Sequence, residues 1–229
     1  MKHKYITLLL LVLSMYATSV NAFYFWVDGF KYRTVDKNEP IVELVSVPLR
    51  YEGTCAVPSS VKYQGKSYRV VSVAPSAFCG CVKLEKVVIP AGITNIGEWA
   101  FSGCSRLSKV LLSEDVRVIG HSAFRGCRSL SSIVIPSLVA EIEELLFGDC
   151  VMLSEVRIAS GVHTVDFSAF NGCGSLKRVV CASECPPAAA SKVFEDGVFA
   201  DVTLAVPRGC KAVYEQAPVW CGFATIVEE

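Results

Sequence analysis

IGEWAFSGCSRLSKVLL at residues 96–112 and IGHSAFRGCRSLSSIVIP at 119–136 are one phrase written twice, 23 residues apart. The same step governs the chain on either side. Phe78, Phe101, Phe124, Phe147 and Phe170 keep it, and so do Cys81, Cys104, Cys127, Cys150 and Cys173. Leu84, Leu107, Leu130, Leu153 and Leu176 form a third column. Val87, Val110, Ile133, Val156 and Val179 form a fourth, and Ile89, Leu112, Ile135, Ile158 and Cys181 a fifth. Columns in phase over five units without an insertion define a tandem repeat.

Within a unit, L-x-x-V-x-I carries apolar, largely β-branched residues at alternate positions, which predicts a short strand. Pro90 and Pro136 end that strand in two units, where Ser113 and Ala159 stand in others. Gly97 and Gly120 mark a later turn, replaced by Glu143 and Asp166 in the next two units. The A-F-x-x-C-x-x-L spacing puts Phe, Cys and Leu on the inward side of a tight helical turn. Such a unit cannot bury its apolar side alone. Stacked units can, each strand pairing in parallel with the next at about 4.8 Å. The expected fold is a repeat solenoid, mainly β with short helical turns and right-handed, whose period lies in the leucine-rich repeat range.

The two phrases above, with VDFSAFNGCGSLKRVV at 165–180, resemble the BspA-like leucine-rich repeat family of bacterial surface and secreted proteins. VPSSVKYQGKSYRVVSVAPSAF at 57–78 resembles the family's approach to its first full repeat. The stretch from Cys185 to Glu229 resembles its closing segment. Unit four departs from the pattern, with Leu145-Leu146-Phe147-Gly148-Asp149 replacing the small residue before Phe, and predicts a local bulge. The resemblance implies a secreted or cell-surface role in host-associated bacteria, such as adhesion to host matrix proteins or to other cells.

The ends read as caps on one core. Residues 1–22 are expected to be a signal peptide: Lys2 and Lys4, an apolar stretch from Ile6 to Tyr16, then Val20-Asn21-Ala22 as a small-residue cleavage site. Residues 23–70 form an N-terminal cap, 71–181 the five repeats and 182–229 a C-terminal cap, so that 23–229 is one structural domain. Asp28-Gly29 signals a hairpin, and Tyr63-Gln64-Gly65-Lys66 a second. In the closing cap, strands are expected at Val202–Val206 and Phe223–Val227, with a short helix at Cys210–Gln216 between them.

Composition narrows the function. Of 229 residues, 52% are hydrophobic and 19% charged, with 22 basic and 22 acidic side chains. Disordered chains are poor in apolar residues, and nucleic-acid binders of the basic-patch kind carry net positive charge. The long apolar run is confined to the N-terminus, which argues against a polytopic membrane protein and leaves no membrane span after cleavage. Removing residues 1–22 leaves 20 basic and 22 acidic side chains.

The 11 cysteines tempt a chemical reading. In-register ladder neighbours point the same way, their Cβ atoms about 4.8 Å apart and beyond disulfide reach, so the five ladder cysteines are expected to be free buried thiols. Outside the column, Cys181 with Cys185 or Cys210 with Cys221 could pair. Cys79-Gly80-Cys81 lacks zinc-site spacing. His121 and His163 read as solvated loop residues with no exposed Cys set beside them, and Glu141, Glu143 and Glu144 as a solvated acidic turn. No catalytic, metal or cofactor site is expected.

Function is expected on the outward side of the strands. The first outward column is Glu85, Ser108, Ser131, Ser154 and Lys177; the second is Lys86, Lys109, Ser132, Glu155 and Arg178; the third is Val88, Leu111, Val134, Arg157 and Val180. Five basic and two acidic residues border an apolar stripe, the makeup of a protein-binding surface. The chosen partner face is Lys86, Val88, Lys109, Leu111, Val134, Glu155, Arg157, Lys177, Arg178 and Val180. The partner would be a protein ligand, such as a host matrix protein or a component of another cell surface. A scaffold in the periplasm or at the surface with a dedicated partner is the second reading. A thiol hydrolase or glycosidase is the third.

Overall fold

The computed structural model describes residues 22–49, 51–194 and 201–229. The expected signal peptide lies outside the described residues, all but Ala22. The N-terminal cap holds β1 (Tyr24–Val27), β2 (Phe30–Thr34), β3 (Ile41–Ser46), β4 (Glu52–Ala56), β5 (Ser60–Tyr63) and β6 (Lys66–Val73). Asp28 and Gly29 both adopt positive φ, as do Gln64 and Gly65, the backbone that two-residue hairpin turns require. Both expected hairpins are present: β1 pairs with β2, and β5 with β6, antiparallel.

Each repeat then forms one rung with two strands at its corners. The longer strand is β7 (Lys83–Val88), followed in the same rung by the two-residue β8 (Asn95–Ile96). The pattern continues as β9 (Lys109–Leu111) and β10 (Val118–Ile119), β11 (Ser132–Ile135) and β12 (Glu141–Ile142), β13 (Glu155–Ile158) and β14 (Thr164–Val165), β15 (Arg178–Cys181) and β16 (Ala188–Ala189). The longer strands stack in parallel on one side and the short ones on another. β17 (Thr203–Val206), α1 (Lys211–Gln216) and β18 (Thr225–Glu228) close the end, and β17 and β18 extend the parallel ladder from β15. Phe194 stacks on Phe170 at 5.3 Å, a further rung beyond the five read from the columns.

The five columns form the core. Phe78, Phe101, Phe124, Phe147 and Phe170 are all buried, their rings stacked at 4.7 to 5.8 Å. The tight turn around each Phe is a run of i→i−3 hydrogen bonds, as in Cys81 N–H to Phe78 O and Leu84 N–H to Cys81 O. It does not grow into a helix because two residues per rung are left-handed. Gly80, Gly103, Gly126 and Gly172 take positive φ two residues after Phe. Two residues before Phe, Ser76, Trp99, Ser122, Leu145 and Ser168 do the same without being glycine. Unit four keeps this geometry and shows no bulge. Asp149 takes the glycine's conformation at φ 60°, one that Asp tolerates, and Leu146 is fully buried. Phe147 N–H still reaches Ala169 O at 2.9 Å.

Among the described residues of the repeats, the hydrogen-bond ladder lapses once. Between Ser108 and Ile119 no backbone-to-backbone bond reaches residues 131–142, so β9 does not pair with β11, nor β10 with β12. The equivalent bonds are present in the rungs above, such as Gly120 N–H to Ile96 O, and below, such as Asp166 N–H to Ile142 O. Two features of the lapse are local. Leu111-Leu112 is the one strand end of the repeats without a β-branched residue in either place, and Leu112 is only half-buried where Ile89, Ile135 and Ile158 are buried. Glu143 is the first residue of the Gly97–Gly120 column to carry a side chain, and a Cβ added at Gly120 would lie 2.8 Å from the Glu98 nitrogen. Across the lapse, Ser137 donates its N–H and hydroxyl to the Glu114 carboxylate at 3.3 Å.

Candidate interaction face

The parallel register fixes which outward residues are neighbours. Lys86 lies beside Lys109, and Val88 beside Leu111. Below the lapse, Ser132, Glu155 and Arg178 form one row and Val134, Arg157 and Val180 the other. The caps extend both rows, which the repeat columns did not disclose. Thr54 and Ala56 precede Lys86 and Val88; Thr203 and Thr225 follow Arg178, and Ala205 and Val227 follow Val180. The signal for them was the apolar alternation of Val202–Val206 and Phe223–Val227, read there as separate cap strands.

Exposure and pairing sort the ten chosen residues. Leu111 and Val134 stand out at 40% and 54% exposed, one on each side of the lapse. Lys109, Arg157 and Lys177 are exposed, while Lys86, Val88, Glu155, Arg178 and Val180 are half-buried. Arg157 is held by Glu155 at 2.6 Å within its own strand, and Arg178 by Glu229 of the closing cap. Lys86 and Lys109 have no ion-pair partner among the described residues. Lys177 has none among them either, so the uncompensated positive charge of the face lies on Lys86 and Lys109, near Leu111, and on Lys177 toward its C-terminal end.

The ladder cysteines are buried and unbonded to each other, and all 11 cysteines are free thiols. Each of four donates its S–H to the Phe carbonyl of the preceding rung: Cys104 to Phe78, Cys127 to Phe101, Cys150 to Phe124 and Cys173 to Phe147, at 3.1 to 3.3 Å. Burial pushes the Cys104 thiol up to about 12 and those of Cys127 and Cys150 well above the ordinary range. A thiol kept protonated is no nucleophile. Cys181 accepts from the Tyr214 hydroxyl at 3.1 Å, which places it in the core; neither Cys181–Cys185 nor Cys210–Cys221 is bonded.

Two expectations about polar groups are corrected. Exposed His163 and exposed Cys185 line one depression of about 490 Å³ together with Glu184, Ser183 and Pro186, because the chain returns past rung four after Cys181. His121 is half-buried rather than free in solvent: its Nδ1 lies 2.9 Å from Glu144 O, and Trp99 meets it edge-on at 5.2 Å. The acidic group also regroups. Asp166, one rung on, joins Glu141 and Glu143 within 4.8 Å, while Glu144 turns its backbone to His121. Burial, with Glu141 and Asp166 beside it, pushes the Glu143 carboxyl up.

Residues 70–197 match the family described as BspA type Leucine rich repeat region, in six copies. Among solved structures, the chain is similar to a leucine-rich repeat protein of T. pallidum, at 26% identity and TM-score 0.55, over 78% of this chain and 89% of that one. It is also similar in fold to a leucine-rich repeat protein of Bacteroides ovatus, at 24% identity and TM-score 0.53, over 80% of this chain and 59% of the other. A leucine rich cell surface protein of Faecalibacterium prausnitzii shares the fold at 16% identity and TM-score 0.54, over 83% and 72%. No curated protein matches the chain.

Proposed function

The chain belongs to the BspA-type leucine-rich repeat family, and from that premise we propose that it is an exported, non-enzymatic interaction protein whose outward strand face docks a protein partner. One observation carries the reading. Leu111 and Val134 are exposed on the outward face, one on each side of the lapse, with Lys86 and Lys109 uncompensated on the strands at and before Leu111. Apolar anchors with charge at the rim are what a docking surface needs. Adhesion to host matrix or to another cell rests on the family resemblance and on the apolar N-terminal segment. The ladder thiols, buried and protonated, support the absence of thiol chemistry there.

The test is binding of the purified full chain to a panel of immobilised matrix proteins, beside a Lys109→Glu, Leu111→Glu double variant. Both positions are exposed, so the variant keeps its fold, checked by circular dichroism. Binding that the variant loses supports the strand face; binding that it keeps moves the site elsewhere. Silence across the panel favours the scaffold reading. Location is tested separately: protease added to intact cells removes a surface protein and spares a periplasmic one.

A further inference from the structure

We propose that the outward face of the N-terminal hairpin is a second binding site, taking an acidic polysaccharide. It is separate from the strand face, since β1 and β2 belong to another sheet than β7 and β9. The register sets Tyr24 opposite Arg33 and Trp26 opposite Lys31. Strand alternation sends Phe25, Phe30 and Tyr32 into the core, so these four side chains share the opposite face. Tyr24 is 50% and Trp26 57% exposed, unusual for rings that had a core within reach.

Cations are placed among the rings. The Lys31 ammonium lies 4.8 Å from the Tyr24 ring centre and 6.0 Å from that of Trp26. The Arg33 guanidinium lies 6.0 Å from the Tyr24 ring and also pairs with the nearly buried Glu43. Glu43 answers Arg33; Lys31 has no ion-pair partner among the described residues. The patch thus offers two stacking planes, about 7 Å apart along the strand, and one uncompensated positive charge. Among the described residues β1 pairs only with β2, which leaves the other edge of the patch without a strand neighbour there.

That chemistry selects the ligand. A strand pair presents a plane, not a groove, which disfavours a buried peptide side chain. A simple anion would have no use for the rings. A pyranose has an apolar C–H face that stacks on an aromatic ring, and a uronic acid adds a carboxylate for Lys31. A chain of such sugars can lie along the strand over both rings.

The full chain is titrated with polygalacturonate by calorimetry, with dextran as the neutral polymer and phosphatidylcholine–phosphatidylserine vesicles as the alternative anionic surface. Trp26→Ala and Lys31→Ser are each expected to weaken polygalacturonate binding about tenfold, and Trp26→Tyr to retain it. Raising NaCl from about 50 to about 500 mM is expected to weaken it as well. Dextran and vesicles are expected not to bind. Four results would overturn the proposal: no binding of polygalacturonate, equal binding of dextran, binding untouched by Trp26→Ala, or binding to vesicles alone. The Lys109→Glu, Leu111→Glu variant is expected to bind the polymer normally, so this site and the strand face stand or fall separately.

Discussion

Cys127 donates its thiol to the backbone carbonyl of Phe101, 26 residues earlier, at 3.3 Å. The same carbonyl accepts the N–H of Cys104 at 3.2 Å, so the thiol of one rung completes a turn of the rung before. Cysteine suits this place because it packs as a small apolar residue and still offers a weak donor. Cys127→Ala removes both the sulfur and the bond. The expected loss is about 1–2 kcal/mol in urea unfolding, against about 3–5 kcal/mol for Phe124→Ala in the neighbouring ring column. Equal losses would show that the thiol does more than fill space and close a turn.

The same burial makes stability depend on alkaline pH. Cys104 is pushed up to about 12 and Cys55 to about 11 by burial, while the unfolded chain releases its thiol protons near pH 8.5. A pKa raised on folding contributes stability that is complete below the unfolded value and lost as pH rises toward the folded one. The urea midpoint is therefore expected to stay flat up to about pH 8 and to fall steeply by about pH 10.5. Tyr32 and Tyr214, also pushed up by burial, act in the same sense at higher pH. Cys104→Ala is the control: its midpoint is lower at pH 8 but less steep above it. A profile unchanged by that variant would place the alkaline loss on other groups.

Much of this was legible in the sequence because a repeat writes each structural rule five times. The Phe, Cys, Leu, Val and Ile columns are the core, and the solenoid follows from them. The left-handed residues before each Phe were not legible: Ser76, Trp99, Ser122, Leu145 and Ser168 share a conformation but no side-chain type that demands it. Unit four was read as a disturbance because Leu146 stands where other units have a small residue before Phe, yet Leu146 is buried and the rung keeps its backbone bonds. At the candidate face, the outward columns followed from alternation. What single columns could not tell was pairing, since Arg178 meets Glu229 from a distant cap and Arg157 meets a neighbour on its own strand. That His163 and Cys185 line one depression was hidden for the same reason: it depends on where the chain runs after the last column.

Gly120 is required by the rung above it and not by its own torsion. A Cβ there would come within 2.8 Å of the Glu98 nitrogen and 3.1 Å of its Cα, both backbone atoms that cannot swing away. Gly120→Ala is expected to cost about 1–3 kcal/mol, the range for overpacking. Gly174→Ala, with nothing within 4 Å of the new Cβ, is expected to change stability by less than about 0.5 kcal/mol. Thermal unfolding of the two variants side by side checks the pair. If Gly120→Ala proves as mild as Gly174→Ala, the rungs have more room to slide than the structure gives them.

The lapse between rungs makes the last prediction. Ile89 N–H bonds to Leu111 O, Ser154 N–H to Ser131 O and His163 N–H to Ala140 O, all at 2.8 to 2.9 Å. The equivalent amides one rung away, Leu112, Ser131 and Ala140, make no such bond. The core beneath them is intact, with Val116, Ile119, Val139 and Ile142 buried, and the turn side is still laced by Phe124 N–H to Leu146 O at 3.0 Å. Two sides are thus open and the third is closed, the arrangement of a hinge whose axis crosses the stack at the Phe turns. Amide protection reports such local opening directly. In native-state hydrogen exchange, Leu112, Ser131 and Ala140 are expected to exchange faster than Ile89, Ser154 and His163, with the difference largest for Leu112, whose side chain is also half-exposed. Uniform protection along the solenoid would mean that the ladder closes in solution. It would also join Leu111 and Val134 into one continuous stripe, so the same measurement decides whether a partner meets one surface or two.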